Sequence, residues 1–329
     1  MAANANLHKA KDAKNDEFYT QLTDVSKELM HYKQHFKDKI VLCNCDDPTW
    51  SAFWKYFHLN FAELGLKKLI STHYDKNEPT YKMEYTGGND NDIEAGVKTP
   101  LEGNGDFRNQ ECIDLLKESD IVVTNPPFSL FREYVACLME HEKKFLIIGN
   151  PNAITYKEIF PLLKDNIIWL GYRKSSGGGW FTAPKSFEEA VHNGKKATWK
   201  EVDGVFLVNC PMIWFTNLDI AKRHEKIILW KNYTPEEYPK CDNYESININ
   251  KVDMIPCDYD GVMGVPITFL DKYNPEQFEI CGMAAGNSRA TGFYYNIPYS
   301  PHKDDRGGCF VVNGKRQYAR ILIRKKVGV

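Results

Sequence analysis

Residues 119–134, SDIVVTNPPFSLFREY, decide the fold of this chain. Residues 120–124 form an apolar run of strand length, which predicts a buried strand. Two prolines then end it, because proline lacks the N–H that a sheet ladder requires. The apolar spacing over 129–141 predicts a helix. A buried strand, a turn and a helix in this order are typical of a parallel α/β sheet.

The same alternation of strands and helices extends to both sides of this stretch. Upstream it predicts helices over 22–36, 50–64 and 109–118 and strands over 40–43 and 66–72; downstream it predicts strands over 144–149 and 167–170 and a helix over 155–163. This order predicts βαβ units and a parallel sheet with helices on both faces. Residues 76–104 are rich in Gly, Asn, Asp and Glu, and we expect a surface insertion there. Four aromatic residues at helical spacing predict core positions rather than base-stacking ones: Trp50, Phe53, Trp54 and Phe57.

The pattern changes near residue 172. Residues 174–180, KSSGGGW, predict a break, and the apolar runs beyond it are short and separated by turn residues. These runs, over 205–208, 212–216 and 262–270, predict a mixed, β-rich region. We therefore expect a core over residues 1–171 and a second region over 172–329, part of which packs back on the core.

Composition excludes several classes of protein. The 329 residues include 42 Lys and Arg against 44 Asp and Glu, and 43% are apolar, which excludes a wholly disordered chain. No apolar run approaches the ~18 residues of a membrane span, and no apolar segment follows the basic N-terminus as in a secretory signal. The nine scattered cysteines form no CxxC pair and the nine histidines show no ligand spacing. We expect a cytoplasmic protein with reduced thiols and no metal.

Four residues at the carboxyl end of the 120–124 strand, Asn125, Pro126, Pro127 and Phe128, match the [DNS]-P-P-[YFW] motif. Enzymes that methylate a planar exocyclic or amide nitrogen carry this motif. An amide oxygen and a backbone carbonyl can each accept one N–H of an adenine amino group, and proline brings no competing donor. The aromatic ring would stack on a flipped base. The structural alternative is a Pro-Pro turn that only closes the strand.

Polar side chains also follow the other predicted strands, where ligands of parallel sheets bind. They are Asn44, Cys45, Asp46, Asp47 and Pro48 after the first strand, Asp75 after the second, and Asp106 and Phe107 before the next helix. Such carboxylates suit the ammonium or ribose hydroxyls of an adenosyl ligand, and the last pair suits its adenine ring. Asp47 before Pro48 also fits a helix cap, and both roles can hold together. At the N-terminus, Asp16, Glu17, Phe18, Tyr19 and Thr20 predict either capping residues or a lid over a ligand.

Two basic clusters are candidates for contacts with phosphate groups. The first contains Lys222, Arg223, Lys226 and Lys231, and the second contains Lys315, Arg316, Arg320, Arg324, Lys325 and Lys326. Lys222, Arg223, Lys315, Arg316 and Arg320 are the expected DNA contacts. The alternative is an ordinary solvated basic surface.

The chain closely resembles the EcoRI-type adenine-specific DNA methyltransferases. The matching segments are DEFYTQ (16–21), CNCDDP (43–48), GDFR (105–108), SDIVVTNPPFSLFREY (119–134), KKFLIIGN (143–150), ITYKEIF (154–160), PKCDNYESININK (239–251), GVMGVPITFLDKYNPEQFE (261–279) and RILI (320–323). The resemblance covers nearly the whole length and is weak over 76–104, 173–205 and 281–318. Recognition loops are expected in the last two segments.

The resemblance implies a fold, a reaction and its partners. The fold would be a Rossmann-like S-adenosylmethionine-dependent methyltransferase sheet over residues 1–171 and a target-recognition region over 172–329. Segments 16–20 and 44–48 would serve S-adenosylmethionine, which leaves as S-adenosylhomocysteine, and the NPPF residues would be catalytic. The substrate would be adenine in double-stranded DNA, with or without a cognate restriction endonuclease acting on the same sequence.

Other functions stay open at this stage. The NPPF motif also occurs in enzymes that methylate RNA bases, and its tolerance of amides allows protein glutamine methylation, a weaker idea. A non-catalytic DNA-binding relative is a third alternative. The N-terminal DEFYT segment and the lack of a recognisable RNA-binding appendage favour DNA, and the intact NPPF motif favours catalysis.

Overall fold

The computed structural model describes residues 19–75, 78–174, 177–183 and 185–326, with only the backbone of Tyr19. The expectations for Asp16, Glu17 and Phe18 therefore lie outside the described residues. Within these ranges, none of the helices combines the length and the apolar character that crossing a membrane requires.

The described residues contain eighteen strands and eight α-helices. The strands are β1 (Tyr19–Thr20), β2 (Ile40–Cys43), β3 (Lys68–Thr72), β4 (Tyr81–Tyr85), β5 (Val97–Pro100), β6 (Ile121–Thr124), β7 (Lys144–Gly149), β8 (Trp169–Leu170), β9 (Gly179–Thr182), β10 (Thr198–Val202), β11 (Val205–Cys210), β12 (Ile213–Thr216), β13 (Ile247–Asn248), β14 (Met263–Pro266), β15 (Phe278–Ala284), β16 (Val311–Val312), β17 (Lys315–Arg316) and β18 (Arg320–Lys325). The helices are α1 (Leu22–Leu29), α2 (Ala52–Leu59), α3 (Phe61–Leu64), α4 (Gln110–Glu118), α5 (Phe131–Glu140), α6 (Phe160–Lys164), α7 (Lys185–His192) and α8 (Ser288–Thr291).

The main sheet has the order β5-β4-β3-β2-β6-β7-β12-β8. Its centre is parallel, because β2 pairs in parallel with β3 and β6, and β6 with β7. The units β2-α2-β3 and β6-α5-β7 thus confirm the predicted βαβ connections. The wholly parallel sheet that the pattern predicted is wrong at the edges, since β4, β5 and β12 are antiparallel to their neighbours.

The expected surface insertion over 76–104 is also different in the structure. Strands β4 and β5 extend the main sheet, and the chain between them packs on α2. There, the indole N–H of Trp54 donates to the carbonyl of Ile93 at 2.9 Å, and both ring nitrogens of His58 lie about 3 Å from carbonyl oxygens of Asp90 and Ala95. The composition of 76–104 indicated a loop because it does not show contacts with a helix 30 to 40 residues earlier in the chain.

The aromatic residues after β2 confirm three of the four predicted core positions. Phe53, Trp54 and Phe57 are buried on α2. Trp50 is wrong as a core position, because 66% of it is exposed. The helix begins only at Ala52, after Ser51 caps it by accepting the Trp54 N–H at 2.9 Å. The same observation corrects the idea that Asp47 and Pro48 start this helix.

The chain divides into two compact units. The first contains residues 1–153 and 170–218, and the second contains 154–169 and 219–329. Residues 172–218 thus belong to the same unit as the strand ends that carry the motifs; they contribute β12 to the main sheet and most of a second sheet, β1-β9-β11-β10. The assignment of catalysis to 1–171 and of target recognition to 172–329 stays a prediction.

The second unit is rich in strands, as the pattern beyond residue 172 predicts. Its sheet has the order β13-β14-β18-β15, and β16 and β17 form a separate hairpin. A core cluster that includes Tyr244, Ala284, Phe310 and Leu322 packs in this unit.

Candidate active site

The carboxyl ends of β2, β3 and β6 lie side by side in the main sheet, and side-chain hydrogen bonds tie them together. Thr124 at the end of β6 donates its Oγ1–H to the carbonyl of Asn44 at 2.5 Å. Ser71 at the end of β3 donates to the carbonyls of Cys43 and Asp46, at 3.0 and 2.5 Å. The NPPF residues and residues 44–48 therefore leave neighbouring strands at one edge of the sheet.

The turn after β2 has a specific backbone conformation. Cys45 has a φ of +59°, and its N–H donates to Oγ1 of Thr72 at 3.3 Å. Burial raises the pKa of the Cys45 thiol, which stays neutral. On the preceding residue, the side-chain oxygen of Asn44 accepts a hydrogen bond from the buried Tyr134 hydroxyl. These contacts make Asn44 and Cys45 parts of a rigid turn that presents the two following carboxylates.

Asp46 and Asp47 have different surroundings. Asp47 accepts hydrogen bonds from Thr49 and from the Tyr81 hydroxyl at 2.8 Å, and its other oxygen lies 3.1 Å from Nδ1 of His73. Asp46 accepts one side-chain bond, from Ser51 Oγ at 2.7 Å. Among the described residues, no Lys, Arg or His lies within ion-pair distance of Asp46.

The pKa of Asp46 is raised, and no neighbouring cation among the described residues opposes this shift. Burial raises its pKa from 3.8 to about 7; the Ser51 bond opposes this shift and the nearby Asp47 charge adds to it. A carboxylate with this surplus negative charge would be stabilised by a positively charged ligand group. The Asp46 carboxylate therefore fits the ammonium group of an adenosyl-methionine ligand better than the Asp47 carboxylate does.

The remaining predicted cofactor residues are brought close to the end of β3. Gly105, with a φ of +73°, lies so near this strand end that a Cβ atom would stand 2.1 Å from the His73 carbonyl. The next residue, Asp106, is held by Arg108 through two bonds of 2.9 and 2.6 Å. Asp75 is buried, and its Oδ1 accepts the Glu78 N–H at 3.2 Å. Phe107 is buried, and its ring makes a T-shaped contact with the Tyr134 ring, with 5.0 Å between the ring centroids.

The NPPF turn is only partly accessible, because Pro126 is buried. Asn125 and Phe128 are partly exposed, whereas the Asn125 side-chain oxygen itself is buried. The Pro127 carbonyl accepts the Leu130 N–H at 2.9 Å and thus closes the turn. The Pro126 carbonyl accepts no hydrogen bond from any described residue. A substrate donor that bonds to this carbonyl would therefore break no hydrogen bond of the turn.

Sequence reasoning missed several residues that shape this edge of the sheet. Tyr81, Ser51, Arg108 and Tyr134 each bind a predicted site residue. Arg108 lies in the GDFR segment and Tyr134 ends the 119–134 stretch, but neither was a candidate site residue. The only signal for Ser51 was its place before an apolar helix, which is typical of a cap. On β1, Thr20 is buried with no partner for its Oγ1 among the described residues, and it pairs with Phe181 of β9.

The expected DNA contacts divide into two groups. Lys315 and Arg316 are exposed on the β16–β17 hairpin, and Lys222 is half-buried. Arg223 and Arg320 are only 8% and 7% exposed. Arg223 lies on the Trp169 ring, and Arg320 donates to Asn248 at 3.3 Å. The burial of these two arginines disfavours contact with a DNA backbone, and their role as phosphate contacts stays a prediction.

No cluster of three or more His, Cys, Asp or Glu side chains suited to a metal ion occurs in the described ranges.

Comparison with known proteins gives a consistent result. Residues 6–326 match the family model described as adenine-specific methyltransferase EcoRI. The chain is 46% identical to the type II methyltransferase M.EcoRI of Escherichia coli, over 99% of this chain and 98% of that protein. It is 39% identical to the type II methyltransferase M.MpnI of Mycoplasma pneumoniae and 37% identical to M.MgeORF184P of Mycoplasma genitalium, over at least 97% of each chain. No solved structure matches the chain.

Proposed function

Because the chain belongs to the EcoRI family of adenine-specific methyltransferases, we propose that it transfers a methyl group from S-adenosylmethionine to the exocyclic amino nitrogen of an adenine in duplex DNA. The names of its relatives, type II methyltransferases, support a defined target sequence. The observation that carries the proposal is the NPPF turn at the end of β6, where the Pro126 carbonyl accepts no hydrogen bond from the described residues and Asn125 lies beside it.

The proposed cofactor site consists of the carboxyl ends of β2 and β3 and the segment before α4. Its residues are Asn44, Cys45, Asp46, Asp47, Pro48, Asp75, Asp106, Phe107 and Asn125, with Asp16, Glu17, Phe18, Tyr19 and Thr20 from the N-terminal segment. Asp46 would bind the ammonium group, because its carboxylate has no cation of its own among the described residues. When bound, S-adenosylmethionine supplies a methyl group on a positively charged sulfur, already activated for transfer.

The proposed catalytic residues Asn125, Pro126, Pro127 and Phe128 act without a titrating base. Asn125 Oδ1 and the Pro126 carbonyl would each accept one adenine N–H and favour a pyramidal nitrogen whose lone pair faces the methyl group. Pro127 fixes the turn through its bond with Leu130. Phe128 would stack on the extruded base, worth ~1–3 kcal/mol, and offset part of the cost of unstacking.

The decisive variant is Asn125→Ala, measured by single-turnover methylation of duplex DNA. We expect the rate to fall about 100-fold or more with little change in DNA or cofactor affinity, because the hydrogen bond matters most in the transition state. Asn89→Ala, at an exposed asparagine of the β4–β5 segment, is the matched control. An Asn125→Ala enzyme with a wild-type rate would mean that the turn is only structural.

The substrate and cofactor are tested separately with radiolabelled S-adenosylmethionine, duplex DNA and structured RNA. Label on DNA supports the proposal, and label on RNA alone would replace it with RNA base methylation. Single-molecule sequencing of DNA from a host that expresses the protein identifies the methylated adenine. We further propose a cytoplasmic enzyme, and a restriction endonuclease that reads the same sequence without contacting this chain, as the type II names support.

A further inference from the structure

An arginine in the second unit is held at the surface by a buried carboxylate. Arg289 on α8 is exposed, whereas Asp305 has no exposed surface. The Arg289 Nη2 group donates to Asp305 Oδ1, and its Nε–H donates to the Tyr299 hydroxyl at 3.0 Å. Tyr299 in turn donates to the other oxygen of Asp305 at 2.6 Å. The three side chains form a closed ring of hydrogen bonds.

Backbone groups fix the carboxylate of this ring. The N–H groups of His302 and Gly307 donate to Asp305 at 3.0 and 3.1 Å. Burial alone would raise the pKa of Asp305, but the Tyr299 and backbone bonds and the Arg289 charge lower it to about 2. Asp305 is therefore ionised at neutral pH, and it gives Arg289 a fixed anchor.

The loop that carries Asp305 approaches α8 more closely than side chains would allow. Gly307 has a φ of +101°, and a Cβ atom there would lie 2.3 Å from the Gly286 carbonyl. The Arg289 N–H donates to the Gly307 carbonyl at 2.8 Å. Arg306, in the same turn, has a φ of +45°. Strained backbone held by surrounding contacts is typical of functional sites.

The segment that carries Tyr299 and Asp305 also packs against aromatic side chains of the second unit. Tyr299 lies 4.8 Å, between ring centroids, from both Tyr244 and Tyr294, and the Tyr244 hydroxyl donates to the Gly308 carbonyl at 2.5 Å. Both residues that hold the Arg289 guanidinium are thus immobilised. A pre-organised arginine loses less entropy when it binds, which is why such sites favour arginine over lysine.

The outward side of the guanidinium remains available. Arginine has five N–H donors, and the bonds to Asp305 and Tyr299 use two of them, so three have no partner among the described residues. Two parallel N–H donors match O6 and N7 of guanine in the major groove. Exposed Lys303 and Arg306 add positive charge nearby. Arg289 also lies within 281–318, where recognition loops are expected.

We propose that Arg289 is a specificity-determining residue that reads one guanine of the DNA target, with Asp305 and Tyr299 as its positioning residues. This inference rests on the proposed function, because it requires duplex DNA as the substrate. A base contact of this kind differs from a phosphate contact in its effect. Loss of a base contact changes the preference at one position of the target, whereas loss of a phosphate contact weakens binding to all sequences alike.

The first experiment compares the methylated motif in hosts that express the wild-type, Arg289→Lys, Arg289→Ala and Tyr299→Phe proteins, by single-molecule sequencing. We expect the motif to become degenerate at one G·C pair in both Arg289 variants, and partly in Tyr299→Phe. Arg306→Ala, which removes a neighbouring exposed arginine, should leave the motif unchanged. Thermal unfolding and S-adenosylmethionine binding of each purified variant show whether it is folded.

The second experiment replaces each guanine of that motif in a synthetic duplex by 7-deazaguanine, which lacks the N7 acceptor. The wild-type enzyme should lose kcat/KM at one position, by at most the roughly 5- to 150-fold that a whole bidentate pair is worth, and Arg289→Ala should be insensitive there. An unchanged motif in folded, active Arg289 variants, or an equal loss on all sequences, would overturn the inference. If the wild-type protein methylates no duplex DNA, the proposed function fails instead.

Discussion

Asp46 in the first unit and Asp305 in the second are two shielded carboxyl groups whose pKa values shift in opposite directions. The pKa of Asp46 rises to about 7 and that of Asp305 falls to about 2. Among the described residues, the Asp46 carboxylate receives one side-chain hydrogen bond, from Ser51, whereas the Asp305 carboxylate receives bonds from two side chains and two backbone N–H groups. Burial raises the pKa of both groups; the hydrogen bonds and the Arg289 charge outweigh it at Asp305, whereas the single Ser51 bond does not outweigh it at Asp46.

The difference separates two uses of a carboxylate. Asp305 is already satisfied by the protein, so it can position a neighbour but offers little to a ligand. Asp46 is under-compensated by the protein, so a cationic ligand would gain from binding it. The comparison therefore favours Asp46 over the well-bonded Asp47 and Asp106 as the residue that binds the cofactor's positive charge.

The strongest test of this comparison replaces each carboxylate by its neutral isostere. We expect Asp305→Asn to lower the free energy of unfolding by about 2–4 kcal/mol, because an amide N–H₂ would face existing donors and leave buried groups unpaired. Asp46→Asn should not lower it, because a neutral amide removes the cost of burying an ionised carboxylate. Urea denaturation followed by circular dichroism measures both, and equal losses would mean that the donor count does not distinguish the sites.

Cofactor affinity should respond to the same two substitutions in the opposite order. Asp46→Asn should weaken S-adenosylmethionine binding by about 1.5–3 kcal/mol, the size of a lost charge-assisted hydrogen bond. Asp305→Asn, where folded, should bind the cofactor normally. Isothermal titration calorimetry measures both affinities, and Asp106→Asn, at another carboxylate of the proposed cofactor site, is the comparison. A larger loss for Asp106→Asn would transfer the ammonium contact away from Asp46.

The pH dependence of stability should also have opposite signs. The folded pKa of Asp46 lies above its unfolded value of 3.8, so the folded state binds more protons and stability falls as pH rises from about 4 to 7. The folded pKa of Asp305 lies below that value, so its contribution is present above about pH 4 and is lost as pH falls toward 2. Each slope is at most about 1.4 kcal/mol per pH unit. When the free energy of unfolding is measured at a series of pH values, Asp46→Asn should flatten the slope between about pH 4 and 7 and leave the slope at lower pH unchanged.

The smallest expected effect concerns Ser51. Ser51→Ala removes the cap of α2 and the side-chain hydrogen bond to Asp46 at once. Loss of the cap should cost about 1 kcal/mol, and loss of the bond should raise the pKa of Asp46 further. Ser51→Thr keeps both bonds and is the control. If S-adenosylmethionine affinity at pH 7 is the same in Ser51→Ala and wild type, the protonation of Asp46 does not control binding.

Much of the first unit was predictable because its signals are local. Apolar runs of strand length identified β2, β6 and β7, and the prolines after β6 marked the candidate site. The positions of Asp46 and Asn125 at neighbouring strand ends followed from the rule that parallel strands end at one edge. Each of these features depends on residues close together in the chain.

Other features depended on contacts between distant residues. The β4–β5 extension of the sheet is held by Trp54 and His58 of α2, and composition alone indicated a loop there. Arg223 and Arg320 had the same local sequence signal as Lys315 and Arg316, but only folding buried the first two. A run of basic residues shows charge, whereas exposure is decided by what packs over each side chain.

The sequence by itself determined the alternation of strands and helices, the family resemblance and the chemistry of the NPPF turn, because these reside in short segments. Only the tertiary structure decided which carboxylates are satisfied and which arginines face solvent. Asp46 and Asp305 are indistinguishable as letters in the chain. Their pKa values differ because the fold assembles donors from Arg289 to Gly307 around the Asp305 carboxylate, while among the described residues only Ser51 donates to the Asp46 carboxylate.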